Sequence, residues 1–508
     1  MTTTPAALRP TVNPGLPLAQ LYPGAADVTV TGVSLDSRSV LPGDVYVALS
    51  GQATHGARFT AQALANGAVA VLTDAAGATL LTDVTEPVVV VADPRSDMAR
   101  LAVEVYGRPA ERFSLFGVTG TTGKTSTTFL LAAALAAAGR RVGTIGTIGF
   151  TLAGRQLASP RTTVTTPESP DLQALLALLA EEGADAVAME VSSHALALHR
   201  VDGLVFDVAA FTNLGRDHLD FHSTQEQYFQ AKAALFRDGR CRSAVVNIDD
   251  EYGLRLAAEV GADHSIRLVT TGRSAPADYH PVVSEPAADG STRVVLATPS
   301  GDREFTLGLL GDFNVRNAAT ATAILDLAGV DLAAALPGFA AAFVPGRMQR
   351  VDLGRGAPGV VVDFAHTPES VAAALDALPP GRRIAVLGCG GDRDQAKRGP
   401  MGAAAAEGAA VVVVTDDNPR SEDPAAIRAA VREGAQAAAL ITGAEVIEEG
   451  NRSAAIGRAL GFAADGDWVA VLGKGHETGQ QLADRSVPFD DVAVVKAEWA
   501  RISGGAHA

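Results

Sequence analysis

A glycine-rich turn separates a predicted strand from a predicted helix rich in alanine and leucine, and it reads Gly117-Val118-Thr119-Gly120-Thr121-Thr122-Gly123-Lys124-Thr125. Glycines let the backbone N–H groups of such a turn point inward at phosphate oxygens, and the positive end of the following helix adds to the attraction. Lys124 would reach the β- and γ-phosphates of a nucleotide, and the Thr125 hydroxyl would bind Mg²⁺. The turn therefore predicts a phosphate-binding loop. A standard loop has a glycine where Val118 stands, so a simple strand-to-helix turn is the alternative.

Three more residues of interest come after the loop. Glu190 and His218 each follow an apolar strand pattern, and Lys232 stands in a predicted amphipathic helix. Ligands bind at the carboxyl ends of the strands in open parallel sheets, so Glu190 and His218 could hold a divalent ion there. Each has a simpler alternative. The glutamate could pair with an arginine, the histidine could cap a loop, and a helix lysine is ordinarily a solvated charge.

Charged residues also follow three apolar strand patterns near the end of the chain. These segments are Gly390-Gly391-Asp392-Arg393-Asp394, Asp417-Asn418-Pro419-Arg420 and Gly473-Lys474-Gly475-His476-Glu477. Strand ends of one parallel sheet can converge on one crevice. Arg393 and Arg420 can each bind a carboxylate through two hydrogen bonds, and Glu477 can pair with an ammonium. The pattern predicts a site for an amino acid with a second charged end, although Arg420 could also be a surface charge at a helix start.

Short β-branched runs alternate with alanine-rich helical stretches through most of the chain, which predicts βαβ units and parallel sheets. A chain of 508 residues is long enough for about three domains. Turn-forming clusters at Tyr106-Gly107-Arg108-Pro109 and Pro345-Gly346-Arg347 mark the boundaries. We therefore expect three consecutive α/β domains, over residues 1–108, 109–344 and 345–508.

Composition excludes several classes of protein. The net charge of −16 argues against a nucleic-acid partner bound by a general basic face. Two cysteines, Cys241 and Cys389, are too few for a disulfide framework or a cysteine-rich zinc site, and they fit a reducing cytoplasm. The N-terminal sequence has no signal-peptide pattern, and the most apolar helical run, Phe129 to Ala138, is too short to cross a bilayer. We expect a cytoplasmic protein without membrane insertion.

Together these motifs resemble the Mur ligase family over nearly the whole chain. The resemblance implies a UDP-binding N-terminal α/β domain, a central P-loop ATPase domain with a parallel sheet, and a C-terminal Rossmann-like domain. It implies that Glu190 and His218 ligate Mg²⁺, that two Mg²⁺ ions serve the reaction, and that Lys232 is carbamylated and helps to position the metal. The implied ATP-binding loop comprises Thr119, Gly120, Thr121, Thr122, Gly123, Lys124 and Thr125.

The resemblance also assigns residues outside the loop. On the nucleotide side it implies contacts from Asn314, Asn317, Arg347, Asp363 and His366. For the UDP-muramoyl-peptide it implies Leu35, Ser37, Gln52, Ala53, Thr54, Thr165, Thr166, Ser192 and Arg200. Leu198 departs from relatives that carry a polar residue there, which puts that contact in doubt. For diaminopimelate it implies Arg393, Asp417, Asn418, Pro419, Arg420, Gly473 and Glu477.

The implied activity is an ATP-dependent ligase of peptidoglycan precursor synthesis, and thus of cell-wall formation, cell shape and cell division. Such an enzyme would add meso-2,6-diaminopimelate to UDP-N-acetylmuramoyl-L-alanyl-D-glutamate through an acyl phosphate, and we expect it to work as a monomer. In this family Asp-Asn-Pro-Arg marks enzymes that take diaminopimelate. Lysine or ornithine would leave Arg420 without a carboxylate, a costly outcome in a dry site.

Four alternatives stay open at this point. The first is the same ligase reaction with L-lysine or L-ornithine, since water could satisfy Arg420. A second is a different amide ligase of the superfamily, such as folylpolyglutamate synthase, which the first domain and the Asp-Asn-Pro-Arg segment disfavour. A third is a P-loop kinase or simple NTPase, which would need no amine acceptor. The last is an inactive nucleotide-binding partner, disfavoured because Lys124, Glu190, His218 and Lys232 occur together.

Overall fold

The computed structural model describes residues 8–51, 53–157, 164–287 and 290–505, which form two compact units. The first unit lies within residues Met1–Val283, Val295–Phe305 and Arg316–Phe339. The second lies within Ser284–Val294, Thr306–Val315 and Ala340–Ala508. Each unit is an α/β structure built on parallel strands, as the alternation of strand and helix patterns predicts.

The N-terminal part of the first unit is a small parallel sheet with helices. Its elements are β1 (Leu16–Pro17), β2 (Thr29–Val30), β3 (Gly32–Ser34), β4 (Asp44–Ala48), α1 (Thr60–Ala65), β5 (Ala70–Thr73), α2 (Ala75–Ala78), β6 (Val88–Val90) and α3 (Pro94–Val105). Strands β3, β4, β5 and β6 pair in that order, all parallel. Apolar side chains of β4 and β5 pack with those of α3 in one core, for example Val45, Leu72 and Met98.

A larger sheet forms the centre of the first unit. Its elements are β7 (Ser114–Thr119), α4 (Lys124–Ala137), β8 (Val142–Gly146), β9 (Gly149–Leu152), β10 (Arg155–Leu157), α5 (Ser169–Glu181), β11 (Ala186–Glu190), α6 (Ser193–Ala197), β12 (Phe206–Phe211), α7 (Leu219–His222), α8 (Gln225–Ala233), β13 (Cys241–Asn247), α9 (Glu251–Gly261) and β14 (Arg267–Thr271). The strand order is β10-β9-β8-β11-β7-β12-β13-β14. Strands β8, β9 and β10 are antiparallel neighbours, and the others run parallel.

This order brings the carboxyl ends of β11, β7 and β12 side by side, because β7 pairs with both of the others. Their side chains are almost entirely buried, as expected for parallel strands covered on both faces. The segments that follow these strands carry the phosphate loop, Glu190 and the approach to His218. The sheet therefore assembles residues that are far apart in the sequence.

A less regular region follows the central sheet. It contains β15 (His280–Pro286), β16 (Thr292–Ala297), β17 (Arg303–Leu307), α10 (Asp312–Leu327) and α11 (Leu332–Ala335). Strands β15, β16 and β17 form a sheet of their own in that order. Buried and less buried side chains alternate along Thr292–Ala297 and Arg303–Leu307, as in strands with one face on a core.

The second unit is built on another parallel sheet. Its further elements are β18 (Gln349–Arg350), β19 (Gly359–Asp363), α12 (Pro368–Asp376), β20 (Arg383–Leu387), α13 (Arg398–Gly408), β21 (Val411–Val414), α14 (Pro424–Thr442), β22 (Glu445–Glu448), α15 (Arg452–Phe462), β23 (Trp468–Leu472), β24 (Gly479–Gln481), β25 (Ser486–Pro488) and α16 (Asp491–Gly505). The order is β18-β19-β23-β20-β21-β22, with β18 antiparallel to β19 and the rest parallel. Strands β24 and β25 form a separate antiparallel pair.

Both faces of this second sheet are covered. Helices α12, α13 and α14 pack on one face around Leu375, Met401 and Val431. Helices α15 and α16 cover the other face around Ile456 and Val495. The apolar runs predicted as buried strands are confirmed, and Val411–Val414 is buried throughout. In the described part of the chain, no helix is long and apolar enough to cross a membrane.

Candidate active site

The glycine-rich turn forms the loop between β7 and α4. Gly120 and Gly123 have φ angles of 147° and 86°, which side chains rarely tolerate. A Cβ at Gly120 would lie only 1.9 Å from Thr212 Oγ1. Val118 is buried inside β7, so the position where a standard loop has glycine belongs to the sheet here. Amides in the first turn of α4 have no intrahelical acceptor and can therefore receive phosphate oxygens.

The segment after β12 supports this loop through hydrogen bonds. Thr121 N and Thr122 N donate to the main-chain and side-chain oxygens of Asn213 at 2.9 and 3.0 Å. Thr212 Oγ1 donates to Thr122 O at 2.6 Å. Since β12 is the sheet neighbour of β7, the two loops are held at the same edge. These contacts fix the loop backbone before any nucleotide binds.

The amino groups of two lysines share one acceptor on the loop. Lys124 Nζ donates to Gly120 O at 2.8 Å and to Thr121 O at 2.9 Å. Lys232 Nζ, from α8, donates to the same Gly120 O at 2.7 Å. It also lies 4.5 Å from the centre of the Tyr228 ring. The structure therefore brings the helix lysine to the phosphate loop, and the solvated-charge alternative for it is wrong.

The surroundings of Lys232 favour its neutral form. Its side chain is 1% exposed. Burial lowers the pKa of Lys232 well below the ordinary lysine value, and the nearby charge of Lys124 lowers it further. The amine of Lys232 can thus be unprotonated at a pH where a surface lysine is charged.

Glu190 is the last residue of β11, and His218 lies in the segment after β12. The Glu190 carboxylate is fully buried and accepts from Thr147 N at 2.8 Å and from Thr147 Oγ1 at 3.0 Å. His218 is half-exposed and has a left-handed backbone with φ of 54°. Desolvation lowers the pKa of His218 to about 4, and the charges of His194, Lys124 and Lys232 act in the same direction while Asp217 opposes them. A neutral imidazole of this kind can serve as a metal ligand.

Thr125, Glu190 and His218 fit a magnesium ion better than a metal ion whose ligands all come from the protein. The described residues contain no cluster of three or more histidine, cysteine, aspartate or glutamate side chains that could hold a metal. Mg²⁺ usually takes one or two carboxylates and completes its shell with water and substrate phosphates. The buried Glu190 carboxylate, the Thr125 hydroxyl and the neutral His218 imidazole are compatible with that pattern.

Thr165, Thr166, Ser192 and Arg200 lie together near Glu190. Thr166 Oγ1 donates to Glu190 O at 2.9 Å and accepts from Ser192 N at 3.1 Å. Thr165 Oγ1 is 3.1 Å from Thr147 Oγ1, the same hydroxyl that binds the Glu190 carboxylate. Four residues predicted to bind the muramoyl-peptide are therefore neighbours of the predicted metal ligand.

Arg200 is held by a carboxylate that also binds the N-terminal part of the unit. Its Nε and Nη2 donate to Glu168 Oε1 at 3.0 and 2.7 Å, and its Nη1 donates to Thr166 O at 3.0 Å. Arg95, on α3, donates to the other oxygen of Glu168 at 3.0 Å. The network connects α3 to residues next to Glu190.

The residues predicted to bind UDP lie on the N-terminal sheet and its loops. Ser37 Oγ donates to Gln62 Oε1 at 2.7 Å, and Leu35 packs against the core of this part. Thr54 is exposed, and its carbonyl accepts from Gly51 N at 3.1 Å. Ala53 is also exposed, while Gln52 lies outside the described residues.

Nucleotide-side residues of the second unit cluster around the carboxyl end of β19. Met348 N donates to Asp363 Oδ2 at 2.6 Å, and burial raises the pKa of Asp363 while the Arg347 charge opposes that rise. The Arg347 guanidinium lies 4.4 Å from the centre of the Phe364 ring. His366 Nδ1 is 2.8 Å from Phe364 O. Arg347, Asp363 and His366 are thus brought together by the structure.

Asn314 and Asn317 both lie on α10, and both are buried. Asn314 belongs to the second unit, where its Nδ2 donates to Leu310 O at 2.8 Å. Asn317 belongs to the first unit, and its Oδ1 is 2.6 Å from the position that a Cβ on Gly123 would occupy. Asn317 is therefore next to the phosphate loop.

A second group of candidate residues lies in the segments that follow β21 and β23. Asn418 Nδ2 donates to Glu477 Oε2 at 2.8 Å, and Asn418 Oδ1 accepts from Lys474 Nζ at 2.9 Å. Lys474 Nζ is 3.3 Å from the same Glu477 oxygen and is fully buried. The hydrogen bonds join the two predicted amino-acid-binding segments into one site.

The other residues predicted to bind the amino acid lie around Asn418, Lys474 and Glu477. Asp417 is buried, which raises its carboxyl pKa, while Arg452 and Lys474 oppose the rise. A Cβ at Gly473 would lie 2.4 Å from Asp417 Oδ2, so the close approach requires glycine. Pro419 O and the Arg420 guanidinium lie beside the Gly390-Gly391 turn. Arg393 is exposed, and its Nη1 is 3.4 Å from Asp392 O.

Comparison with known proteins assigns the chain to a family. Three family descriptions match successive stretches: the Mur ligase family catalytic domain over residues 29–106, the Mur ligase middle domain over 118–325, and the Mur ligase glutamate ligase domain over 346–475. The chain belongs to the Mur ligase family. This confirms the resemblance deduced from the motifs. The three-domain α/β architecture expected for a Mur ligase is confirmed as well.

The Mur ligase chain is similar along its whole length to curated relatives. It is 46% identical to a UDP-N-acetylmuramoyl-L-alanyl-D-glutamate--2,6-diaminopimelate ligase of Streptomyces avermitilis, over 97% of the chain and 98% of the relative. A Streptomyces coelicolor protein of the same name is also 46% identical, over 99% of the chain and 100% of the relative. A solved structure of that name matches with a TM-score of 0.68 and 31% identity, covering 96% of this chain and 99% of the other.

Three residues that hold candidate site residues in place were not assigned a role from the sequence. They are Thr147, Asn213 and Lys474. Asn213 and Lys474 both follow predicted strands, so their position at a sheet edge was a usable signal. Thr147 also follows a strand, β8, and could have been found in the same way. Glu168 stands in the segment Thr165-Thr166-Pro167-Glu168, which the resemblance to the family had already indicated for the muramoyl-peptide.

Proposed function

We propose that this Mur ligase adds meso-2,6-diaminopimelate to UDP-N-acetylmuramoyl-L-alanyl-D-glutamate with hydrolysis of ATP to ADP and phosphate. The observation that carries the proposal is the hydrogen-bonded group in which Asn418 and Lys474 hold Glu477 in the segment after β23, with Arg420 in the neighbouring segment. A site with one fixed anion and one fixed guanidinium suits an amino acid that carries an ammonium and a second carboxylate. The names of the curated relatives support the same substrate.

The first chemical step is attack on ATP. A carboxylate oxygen of the D-glutamate residue bonds to the γ-phosphorus, the bond to the β-phosphate bridging oxygen breaks, and ADP leaves. Lys124 and the amides at the start of α4 would hold the phosphates in line, and Arg347 would offset the charge that accumulates. Thr165, Thr166, Ser192 and Arg200 would position the muramoyl-peptide beside Glu190, as their mutual contacts suggest.

The second step forms the amide. The neutral amine of diaminopimelate attacks the acyl-phosphate carbon, inorganic phosphate leaves from the tetrahedral intermediate, and the nitrogen loses a proton to solvent. Glu477 would orient the amino acid through one of its ammonium groups. Asp417, Asn418, Pro419, Arg420, Gly473 and Arg393 would complete the pocket.

Magnesium would be held by Thr125, Glu190 and His218, with two ions in the complete site. When bound it supplies charge neutralisation at the phosphate oxygens. The Glu190 carboxylate, buried and oriented by two bonds from Thr147, is preformed for that purpose.

We further propose that Lys232 carries a carbamate. The neutral Nζ attacks CO₂, a C–N bond forms, and one proton is released to solvent, which leaves an anion on the side chain. Burial of Lys232, its lowered pKa and its 2.7 Å bond to Gly120 O support this reaction, since only an unprotonated amine reacts with CO₂. The carbamate would place an anion able to bind magnesium where the unmodified, neutral side chain carries no charge.

The remaining assignments follow from this activity. Residues 1–108 would bind the UDP-linked precursor, 109–344 would bind ATP, and 345–508 would bind the amino acid. Asn314, Asn317, Asp363 and His366 would contact the nucleotide, and Leu35, Ser37, Gln52, Ala53 and Thr54 would contact UDP. We place the reaction in the cytoplasm, where ATP is available, and expect a monomer to carry it out.

The experiment that tests the function is phosphate release by the purified protein with ATP, Mg²⁺ and UDP-N-acetylmuramoyl-L-alanyl-D-glutamate. Meso-diaminopimelate, L-lysine and L-ornithine are offered in separate reactions, and the tripeptide product is identified by mass spectrometry. We expect turnover with diaminopimelate alone. Turnover with lysine or ornithine would retain the ligase and reject the substrate, whereas amine-independent phosphate release would favour a kinase or NTPase.

A further inference from the structure

Strand β24 is attached to the Asp-Asn-Pro-Arg segment through its last two residues, and most of the bonds come from Gln481. Its main-chain N donates to Asn418 Oδ1 at 2.9 Å, and its main-chain O accepts from Arg420 N at 3.0 Å. Its side-chain Oε1 accepts from Arg420 Nε at 2.9 Å. The preceding residue, Gln480, adds a bond from its Nε2 to Asp417 O at 2.8 Å. The main chain of β24 therefore fixes the segment, and the Gln481 side chain acts on the Arg420 side chain alone.

The two contacts of the Arg420 guanidinium define which of its N–H groups face a ligand. Nε donates to Gln481 Oε1, and Nη1 donates to Gly391 O at 2.8 Å. A guanidinium has five N–H donors. The three that remain, one on Nη1 and two on Nη2, can donate to a ligand carboxylate. Arg420 also has a left-handed backbone, with φ of 52°, which sets the direction in which its side chain leaves the loop. Without an acceptor at Nε, this half-buried side chain could rotate about its own torsions.

The chemical type of Gln481 matters as much as its position. An amide oxygen accepts a hydrogen bond without cancelling the guanidinium charge. A carboxylate at the same place would form an ion pair with Arg420 and compete with a ligand carboxylate. A neutral acceptor is therefore the group that orients Arg420 and keeps it attractive to an anion.

We propose that Gln481 is a specificity-determining positioning residue, which holds Arg420 so that its outer N–H groups bind the distal carboxylate of the incoming amino acid. The inference rests on the proposed function and deepens it, because it assigns the choice between diaminopimelate and lysine to a residue outside the Asp-Asn-Pro-Arg segment. Lysine has no distal carboxylate, so its use does not depend on the orientation of Arg420. Gln481 thus affects one substrate and not the other.

A double-mutant cycle tests this assignment. Gln481→Met removes the acceptor with little change in side-chain length, Arg420→Met removes the guanidinium, and the double variant combines both. We expect Gln481→Met to raise the KM for diaminopimelate about fivefold and to leave kcat and the KM for ATP nearly unchanged. In the Arg420→Met background the same substitution should add no further change, because its effect passes through Arg420.

Two further variants keep the test decisive. Gln481→Glu preserves an acceptor at the same atom but adds a charge, and it should raise the KM for diaminopimelate without changing the KM for ATP. Asp484→Asn, in the turn of the same hairpin, is the matched control, since the exposed Asp484 pairs with the exposed Arg485 in the structure and should change nothing.

The outcomes separate this inference from the proposed function. A wild-type protein without diaminopimelate-dependent turnover would overturn both. Wild-type turnover combined with an unchanged KM for diaminopimelate in Gln481→Met and Gln481→Glu would overturn the role of Gln481 alone. Additive effects of Gln481→Met and Arg420→Met, or an equal rise in the KM of every substrate, would also overturn it, since these indicate general disturbance of the fold.

Discussion

At the scale of single residues, charge and burial decide what each side chain can do. Lys124 and Lys232 donate to the same carbonyl oxygen, at 2.8 and 2.7 Å, yet they differ in solvation. Lys124 is the partly buried cation that would meet phosphates, and Lys232 is 1% exposed with a pKa well below the ordinary lysine value. Two like charges at one oxygen are unfavourable, so the more buried Lys232 is held in the neutral form that reacts with CO₂.

Substitution of Lys232 tests whether an anion is needed. We expect Lys232→Ala to lower kcat by about 10²–10³, the usual cost of removing one electrostatic group from an active site. Lys232→Glu, which supplies a permanent carboxylate, should retain more activity than Lys232→Ala. The measurement is phosphate release with and without added bicarbonate, which should stimulate only the wild type. Lys496→Ala, at an exposed lysine, is the control. Normal turnover by Lys232→Ala would remove the carbamate from the mechanism.

The cysteines give a prediction about pH. Burial raises the pKa of both the Cys241 and the Cys389 thiol to about 12. The thiolate is the reactive form, and at pH 8 a thiol with that pKa has on the order of one part in 10⁴ ionised. The native protein should therefore resist a thiol reagent at pH 8 and release two reactive thiols in guanidinium chloride. Labelling that is complete in the native state would show that the thiols are accessible.

The raised pKa of the two thiols also makes the stability of the protein depend on pH. The folded state favours the protonated thiols, so their contribution is fully present below the ordinary thiol pKa of 9.0 and is lost as pH rises towards 12. The free energy of unfolding should therefore fall as the pH rises from 8 to 11. Replacement of both cysteines by alanine should make this fall smaller.

At the scale of elements, strand ends and helix contacts place the sites. Parallel pairing of β11, β7 and β12 brings three loops to one edge, and parallel pairing of β23, β20 and β21 does the same in the second unit. Helices α13 and α14 cover the second sheet, and glycines allow their backbones to approach closely. A Cβ at Gly402 would lie 2.0 Å from Val431 O, and one at Gly434 would lie 2.0 Å from Gly399 O.

Alanine at Gly434 should therefore destabilise the second unit. The added methyl would press on the Gly399 backbone, and overpacking of this kind costs about 1–3 kcal/mol. Gly399→Ala is the matched control, because a Cβ there would meet its nearest neighbour, Ala430 O, at 3.8 Å, an ordinary contact. Urea denaturation measures both. A Gly434→Ala protein as stable as Gly399→Ala would mean that the helices can separate without cost.

At the scale of the whole molecule, the protein is acidic, and yet its proposed ligands, ATP and the UDP-linked precursor, are strongly anionic. Its net charge is −16, so attraction must come from local groups such as Lys124, Arg200, Arg347 and Arg420. Each of these lies in or beside a site predicted to bind a phosphate or a carboxylate. The overall charge still opposes binding, and a divalent cation would offset part of that opposition.

Binding of magnesium and ATP should therefore raise the thermal stability of the protein. A ligand at 100 times its Kd adds about 2.7 kcal/mol to the free energy of unfolding, so thermal denaturation should shift upward with Mg²⁺ and ATP together. Removal of Mg²⁺ by EDTA should reverse most of the shift, and Lys124→Met should reduce it. An equal shift with ATP alone would argue against a magnesium-dependent site.

The sequence alone determined the local features of this protein. The phosphate loop, the buried strands and the residues that follow them could be predicted because strand, turn and helix patterns depend on neighbours along the chain. The strand ends then gave Glu190 and the segment from Asp417 to Arg420 as site candidates. Family resemblance added the roles that spacing could not provide.

Only the tertiary structure decided the contacts between distant parts of the chain. The bond from Lys232 to Gly120 O spans 112 positions, and the bond from Arg420 to Gln481 spans 61. Burial of a lysine, and hence the shift in its pKa, depends on every segment that packs around it, and no local pattern records that packing. The acceptor at Gln481 and the pairing of Arg95 with Glu168 were hidden for the same reason, because long-range hydrogen bonds form between groups whose sequence neighbours carry no sign of them.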